Sequence, residues 1–539
     1  MISLEQYYLK IGRATELKDP KERRIFRFFE ILPGLLSWLT IVLIFIASWK
    51  LPVFAAIFIV LFDTYWLVKT IFLSFHLSNS LRVRKIFLKR NWLEELKSLP
   101  KEKYNLPVTD WKEIYHLIIL PMTSEGLDVV FPSVQSLARC QYPKEKMIVV
   151  LAIEQRVGAE AKEIAEKVKK DLGGEFFKFI ISEHPADVPG EIAGKGSNET
   201  WAAREAKKFI DSQKISYENI VVSSFDIDTV VPDGYFACLT YHYLTAKNPL
   251  QSSFQPIPIF SNNIWVAPAL ARVVSFSSTF WQLMQQSRPE RLTTFSSHSM
   301  AFKALVDVDF WKVNIVSEDS HIFWQCLLFY RGDWKVVPLF YPAYMDANVD
   351  KTFWRTIVNQ YKQQRRWAYG VENFAFFSFI FLKDSFLMKG RQEFPFKKKL
   401  YWFFTILEGA HSWATNSLII FLLGWLPLTL GGAQFNSMLL SFSLPIITRY
   451  IMTMASVGIV TSAIMSFSFL PPKPVHYGRW RYILFFLQWV LMPLNLIFFG
   501  SFPAFEAQTR LMLGKYMGFW VTPKHRKKID DAEDKIQVK

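Results

Sequence analysis

Cysteine is nearly missing from this chain. Cys140, Cys238 and Cys326 are its 3 copies, scattered and odd in number. They exclude a disulfide framework and leave a reducing compartment as the default. The 9 histidines show no zinc spacing such as H-E-x-x-H, which removes the common helical zinc sites. The opening residues "MISLEQYYLKIGRATELKDP" are polar and contain acids, so no cleavable signal peptide is expected. No recognition motif accompanies the net charge of +16, so nucleic acid is not the expected partner.

Apolar residues, by contrast, make up 51% of the 539 positions, and phenylalanine alone supplies 50. Charged residues are still 20%, too many for a pure bundle of spanning helices. A mixed chain, part membrane and part soluble, fits. Apolar segments at 32–49 and 51–75 are each about long enough to cross a ~30 Å hydrocarbon layer, and others return at 401–430, 436–470 and 482–513. Basic residues crowd before the first segment (Lys10 to Arg27), after the second (Arg82 to Arg90) and before the third (Lys397 to Lys399), and they mark "PPKPVHYGRWR". The positive-inside rule then puts the N-terminus, the central region and that last link on the cytoplasmic side of a multi-pass protein of the cell membrane. The basic "VTPKHRKK" also wants the inside, although one crossing from Tyr482 would leave it outside. Because Pro493, Gly500, Pro503 and Glu506 interrupt that stretch, a re-entrant or doubled-back passage is expected.

The region between the early and late segments reads as soluble α/β. "HLIILPM", "KMIVVLAIE", "FFKFII" and "NIVVSSFDID" are short runs rich in β-branched residues, as buried parallel strands require. "SEGLDVVFPSVQSLARC" and "GAEAKEIAEKVKKDLG" between them have helical spacing. The alternation predicts a doubly wound, mostly parallel sheet, whose ligands bind beyond the carboxyl ends of the strands. Glu154 stands at one such end and Asp226 and Asp228 at another. In extended chain two residues two apart point the same way, so Asp226 and Asp228 either hold a divalent cation, Mg²⁺ or Mn²⁺, through oxygen ligands or form a solvated turn ahead of Pro232. In "NIVSEDSHIFWQCLLFY", Ser317 is a good N-cap and Glu318 and Asp319 suit a first helical turn; the other reading makes Asp319 a general base. "TFWRTIVNQYKQQRRWAYG" is helical up to Gly370 and sets Gln363, Arg366 and Trp367 on one face, with Gln364 and Arg365 elsewhere. An amide and a guanidinium fork suit diphosphate oxygens, and an indole suits a sugar face. A helix lying on a bilayer would use the same residues.

Taken together, "DID" at 226–228, "SED" at 317–319 and "QQRRW" at 363–367, in that order between apolar segments, resemble the membrane-embedded family 2 glycosyltransferases, which include cellulose, chitin and hyaluronan synthases. "FWVTPK" at 519–524 is similar to the gating loop F-x-V-T-x-K of cellulose synthases, which covers the nucleotide site from the cytoplasm. The resemblance implies a GT-A catalytic domain at 78–370, set between an N-terminal part at 1–77 and interfacial helices at 371–400, C-terminal spans at 401–513 and a gating loop with basic tail at 514–539. It implies a nucleotide-sugar donor, UDP- or GDP-linked, a divalent cation, and a glycan or lipid-linked acceptor at a lipid bilayer. Residue by residue, Asp226 contacts the diphosphate or metal, Asp228 ligates the metal, and Asp319, beside Glu318, is the catalytic base. Glu154, Lys195, Gln363 and Arg366 bind the donor, Trp367 floors the acceptor, and Phe519, Val521, Thr522 and Lys524 close over the donor.

Three features depart from the family pattern. Glu154 stands where relatives usually have Asp. "LPMTSEG" keeps Glu125 but lacks the Asn of P-x-x-N-E. The stretch from Asp319 to Gln363 is longer than common, which implies a small insertion near "YPAYMDANVD". Glu408, His411, Trp413, Arg449 and Tyr450 in the later apolar segments either line an export path or pack helices together. The leading expectation is a processive polysaccharide synthase that exports its product. Single transfer to a lipid carrier is the alternative, and a non-catalytic transport or scaffolding protein is a third reading.

Overall fold

The computed structural model describes residues 4–387, 394–475, 477–524 and 526. A seven-stranded sheet is the centre of an α/β domain. Its strands are β1 (Tyr115–Pro121), β2 (Met147–Glu154), β3 (Lys178–His184), β4 (Ile220–Ser224), β5 (Ser252–Phe260), β6 (Ser299–Ala301) and β7 (Lys335–Met345), in the spatial order β3-β2-β1-β4-β6-β5-β7. Parallel pairs join β1 to β2, β1 to β4, β2 to β3 and β5 to β7; β6 is antiparallel to both β4 and β5. Six strands therefore run one way, and the carboxyl ends of β1, β2, β4, β5 and β7 share one rim. Helices cover both faces, so the middle strands are apolar at every position rather than at alternate ones: β2 is buried throughout, as is β1 apart from its end residues.

Two strand expectations change. The run 219–228 ends as a strand at Ser224, because Thr229 N–H donates to the Asp226 carbonyl and closes a turn. "DID" is therefore a turn and not extended chain. "YPAYM" is strand: it is the end of β7, paired residue by residue with β5 from Ile257–Pro342 to Phe260–Met345.

Among the described residues, four helices are long and apolar enough to cross a membrane: Pro20–Lys50, Pro52–Lys89, Leu439–Phe469 and Trp480–Met512. A fifth, Phe396–Phe421 with Leu423–Leu430, bends by 45°. Their outer faces carry large exposed apolar side chains such as Phe54, Leu61, Phe75, Leu439 and Val490, a surface that water disfavours and lipid accepts. The doubled-back passage expected at 482–513 does not form. Trp480–Met512 is one helical run, with a widened π-type turn at Leu496–Ser501 that absorbs Gly500. It packs against the sheet domain: Arg272 Nε donates to Gln488 Oε1 at 2.6 Å in its first half. In its second half, Tyr361 Oη and Arg365 Nη1 donate to Glu506 at 2.8 and 2.6 Å. Both ends of this helix thus adjoin the sheet domain, and the chain beyond it returns to the rim. Glu372–Leu387 buries Phe374, Phe376, Phe377 and Phe379 against the Pro20–Lys50 helix and its neighbours.

Candidate active site

The rim encloses a cavity of about 90 Å³. Thr123 and Glu125 follow β1, Glu154 ends β2, Asp226 and Asp228 follow β4, Phe260 ends β5, and Met345 and Asp346 end β7 at its wall. Lys195 comes from the start of helix Lys195–Ser212 and Asp319 from the first turn of helix Glu318–Phe329. Gln363, Arg366 and Trp367 come from one face of helix Phe353–Ala368, and Phe519, Val521, Thr522 and Lys524 from the C-terminal segment. Residues spread over four hundred positions of sequence thus meet in one place. Glu318 is the exception. It is 1% exposed, does not line the cavity, and neither carboxylate oxygen has a hydrogen-bond partner.

Lys195 organises the back wall. Its ammonium lies 2.8 Å from Asp226, 3.6 Å from Glu199 and 4.0 Å from Glu318. Burial alone would lower its pKa, but Asp226, Glu199, Asp319 and Glu318 hold it well above the ordinary value. Burial pushes Glu199 up to about 7 despite Lys195 and the Ser224 hydroxyl. Burial and the Asp319 charge push Glu318 well above the usual carboxylate range. The backbone must come close for this: a Cβ on Gly196 would meet the Lys312 carbonyl at 2.5 Å.

The two aspartates of the turn differ. Burial would raise Asp226, but Lys195 and Lys524 outweigh it and hold its carboxyl below the usual range; Ser296 Oγ also donates to it at 2.6 Å. Burial wins at Asp228, whose pKa is raised although the Lys524 ammonium donates to Oδ1. Asp346 N–H donates to Asp228 Oδ2 at 2.8 Å, and Asp346 in turn accepts from the Arg526 guanidinium, with Nη2 at 2.7 Å. Ser297, at φ 62°, accepts weakly from Asp226 N–H at 3.4 Å and shares a hydrogen bond with the Thr229 hydroxyl at 2.8 Å; a serine held in that region is strained backbone that tertiary bonds fix in place.

On the opposite wall the Trp367 ring lies 6.0 Å from Phe260 and 5.7 Å from Phe295, an aromatic surface broad enough to stack a ring. Arg366 sets its guanidinium 4.7 Å from the Phe519 ring centre, and its buried Nε has no hydrogen-bond partner. Phe519 itself rests on Gly194, where an added Cβ would meet the Phe519 Cβ at 2.7 Å and its ring Cγ at 2.8 Å. Glu154 holds Arg156, and Glu125 accepts from Thr123 N–H at 2.7 Å. Among the described residues no donor is bonded to the Asp319 carboxylate.

Two rim residues, Asp346 and Ser296, and the buried Glu199 behind Lys195 escape a reading by motif. Asp346 carried a signal, an acid directly after an apolar run, and the supposed insertion concealed it. The expected N-cap bond of Ser317 is also absent, because its hydroxyl donates to Glu372 at 2.7 Å.

The donor chemistry fits Mg²⁺ or Mn²⁺: carboxylate oxygens only, with an ammonium standing beside Asp228 where positive charge is needed. No three Asp, Glu, His or Cys side chains among the described residues are grouped to hold a metal unaided, so a cation here would take further oxygens from a ligand.

No family model matches the chain, and no curated relative matches it either. Among solved structures, a mannosyltransferase of Pyrobaculum calidifontis determined with GDP-Man and Mn²⁺ is similar at TM-score 0.40 and 12% identity, over 79% of this chain and 98% of that one. Residues 1–349 of S. aureus TarS with UDP-GlcNAc are similar at TM-score 0.29 and 13% identity, over 66% and 92%. Overlaps this loose leave the chemistry of the pocket to its own side chains.

Proposed function

We propose that this chain is an inverting glycosyltransferase of the membrane-embedded, GT-A kind that moves a hexose from a UDP- or GDP-sugar to a growing polysaccharide, processively and with export. The observation that carries the reading is the meeting, around one cavity, of Asp319, Asp226, Asp228 and the Gln363–Arg366–Trp367 face. The cavity also has a charge problem with a chemical answer. Six carboxylates line it against three cations, so a diphosphate would be repelled without added positive charge. A divalent cation at Asp228, when bound, supplies that charge and offsets the negative charge of the departing diphosphate.

The chain's own groups do the rest. Asp319 takes the proton from the acceptor hydroxyl, which attacks the sugar from the face opposite the leaving group and inverts it. Arg366, with Nε free, and Gln363 hold diphosphate oxygens. Lys195 keeps Asp226 ionised. Trp367, with Phe260 and Phe295, stacks the acceptor ring. Glu154 and Lys195 border the nucleotide, and Glu318 steadies Lys195 from behind. The basic flanks and the helices long enough to cross a bilayer support domains as divided above: helical parts at 1–77 and 401–513, a cytoplasmic catalytic domain at 78–370, interfacial helices at 371–400, and a covering loop and tail at 514–539.

The test is transfer. Purified full-length protein with labelled UDP- and GDP-sugars and Mn²⁺ is expected to yield long glycan. A product carrying one sugar on a lipid moves the assignment to single transfer, and bound nucleotide without any product removes the enzymatic reading.

A further inference from the structure

Lys524 and Arg526 are two apart in sequence, and each ends on a different buried carboxylate of the rim. Lys524 donates to Asp228, and Arg526 grips Asp346 through Nη2 at 2.7 Å and Nε at 3.1 Å, with Nη1 donating to the Asp128 carbonyl at 3.0 Å. The two carboxylate side chains are 2% and 1% exposed, and Asp346 N–H binds Asp228 Oδ2 directly. Two adjacent buried carboxylates need two positive charges. The tail brings two. A divalent cation also brings two, through the oxygen ligands it prefers. Thr522, between these cations and Phe519, is buried, and its hydroxyl lines the cavity without a hydrogen-bond partner among the described residues. The cavity left beneath the tail, about 90 Å³, is far below the roughly 300 Å³ at which small-molecule sites begin.

We infer that Asp346 is the second protein carboxylate of the cation site at Asp228, and that Lys524 and Arg526 occupy both carboxylates in the cation's absence, so that tail and divalent cation bind in competition. This rests on reading the rim as a nucleotide-sugar site. It adds to that reading a ligand from the end of β7 and a second role for the tail. The segment that covers the donor is also the counter-charge of the empty site, and cation entry requires its two basic side chains to let go. The arrangement ties tail release to the arrival of the cation, and hence keeps six carboxylates from facing each other unbalanced.

The experiment titrates full-length protein in detergent with Mn²⁺ alone, reading free Mn²⁺ by electron paramagnetic resonance. Removing the tail cations in K524Q/R526Q is expected to tighten apparent Mn²⁺ binding roughly tenfold or more, because the competent state is no longer masked. Asp346→Asn is expected to weaken it about 10- to 100-fold. In the wild type, Mn²⁺ is expected to speed trypsin cleavage after Lys524. Wild-type affinity in K524Q/R526Q overturns the competition, and wild-type affinity in Asp346→Asn overturns the ligand assignment. Thermal unfolding checks that Asp346→Asn folds; if it does not, Asp346→Glu, which keeps the charge and displaces the oxygens, decides the ligand role, with unchanged affinity counting against it. Equilibrium dialysis with UDP and GDP separates the two readings. Nucleotide binding with Mn²⁺ affinity indifferent to both changes sinks this inference alone, whereas the expected Mn²⁺ shifts without nucleotide binding sink the donor-site reading and leave the competition standing.

Discussion

Asp228 at the sheet rim and Asp63 in the helix Pro52–Lys89 are both buried aspartates, 1% and 3% exposed, and their surroundings are opposite. Asp228 is answered from two distant parts of the chain, by Lys524 and by the backbone of Asp346. Among the described residues, neither oxygen of Asp63 is hydrogen-bonded. The same contrast runs through the two regions. At the rim, carboxylates, a serine and cations from the ends of β4 and β7, the loop before β6, the helix Lys195–Ser212 and the tail are cross-bonded. Among the apolar helices, polar groups stand alone or in small sets such as Lys69, Arg291 and Glu408. Burying a charge is costly in either place. A network assembled from distant segments at the rim is what a site for a charged ligand requires, whereas an isolated acid serves no such network.

Substitutions should therefore act oppositely in the two regions. The largest effect is expected from Asp319→Asn, with transfer falling about 10²- to 10⁴-fold while donor binding persists; steady-state rates beside nucleotide dialysis would check it, and full activity would strip Asp319 of its role. Arg366→Lys keeps the charge but loses the planar fork, and a fall in kcat on the order of 10²-fold is expected. If activity is insensitive to that exchange, the diphosphate contact lies elsewhere.

How much of this was legible beforehand follows from the range of the forces involved. The strands of the sheet's first half announce themselves as short β-branched runs, and the face shared by Gln363, Arg366 and Trp367 follows from helical spacing alone. The turn at Asp226–Thr229 was not legible, because it is fixed by Ser297, itself held in a left-handed backbone by the loop before β6. Asp346 was hidden for the same reason: only pairing with β5 turns "YPAYM" into a strand end. Ser317 sits at the N-cap position as its sequence suggests, yet a glutamate far along the chain captures its hydroxyl. The doubled-back passage was inferred from Pro and Gly positions that one widened helical turn accommodates.

Smaller effects sharpen the contrast through stability. Glu199, raised to about 7 by burial, favours the fold when protonated. That contribution is complete below the unfolded glutamate value and is lost as pH rises through 7. Glu199→Gln should therefore melt higher than wild type by an amount that grows from pH 5 to pH 8, on the order of 2 °C; a gap that shrinks over that range contradicts the sign. At Asp63 no bond is lost, so Asp63→Asn should leave stability unchanged or raise it by about 1–3 kcal/mol. A severe loss there would mean that the helices hold a charge network of their own.

The central claim is that the rim, the Gln363–Trp367 face and the tail surround a single nucleotide-sugar pocket. Photoaffinity labelling of the full-length protein with azido-substituted UDP- and GDP-sugars in Mn²⁺, followed by peptide mapping, tests it most directly. Label should fall on the peptides carrying Glu154, Asp226 and Phe519 and be displaced by unlabelled nucleotide. Displaceable label confined to any other surface, with none at the rim, would contradict the claim.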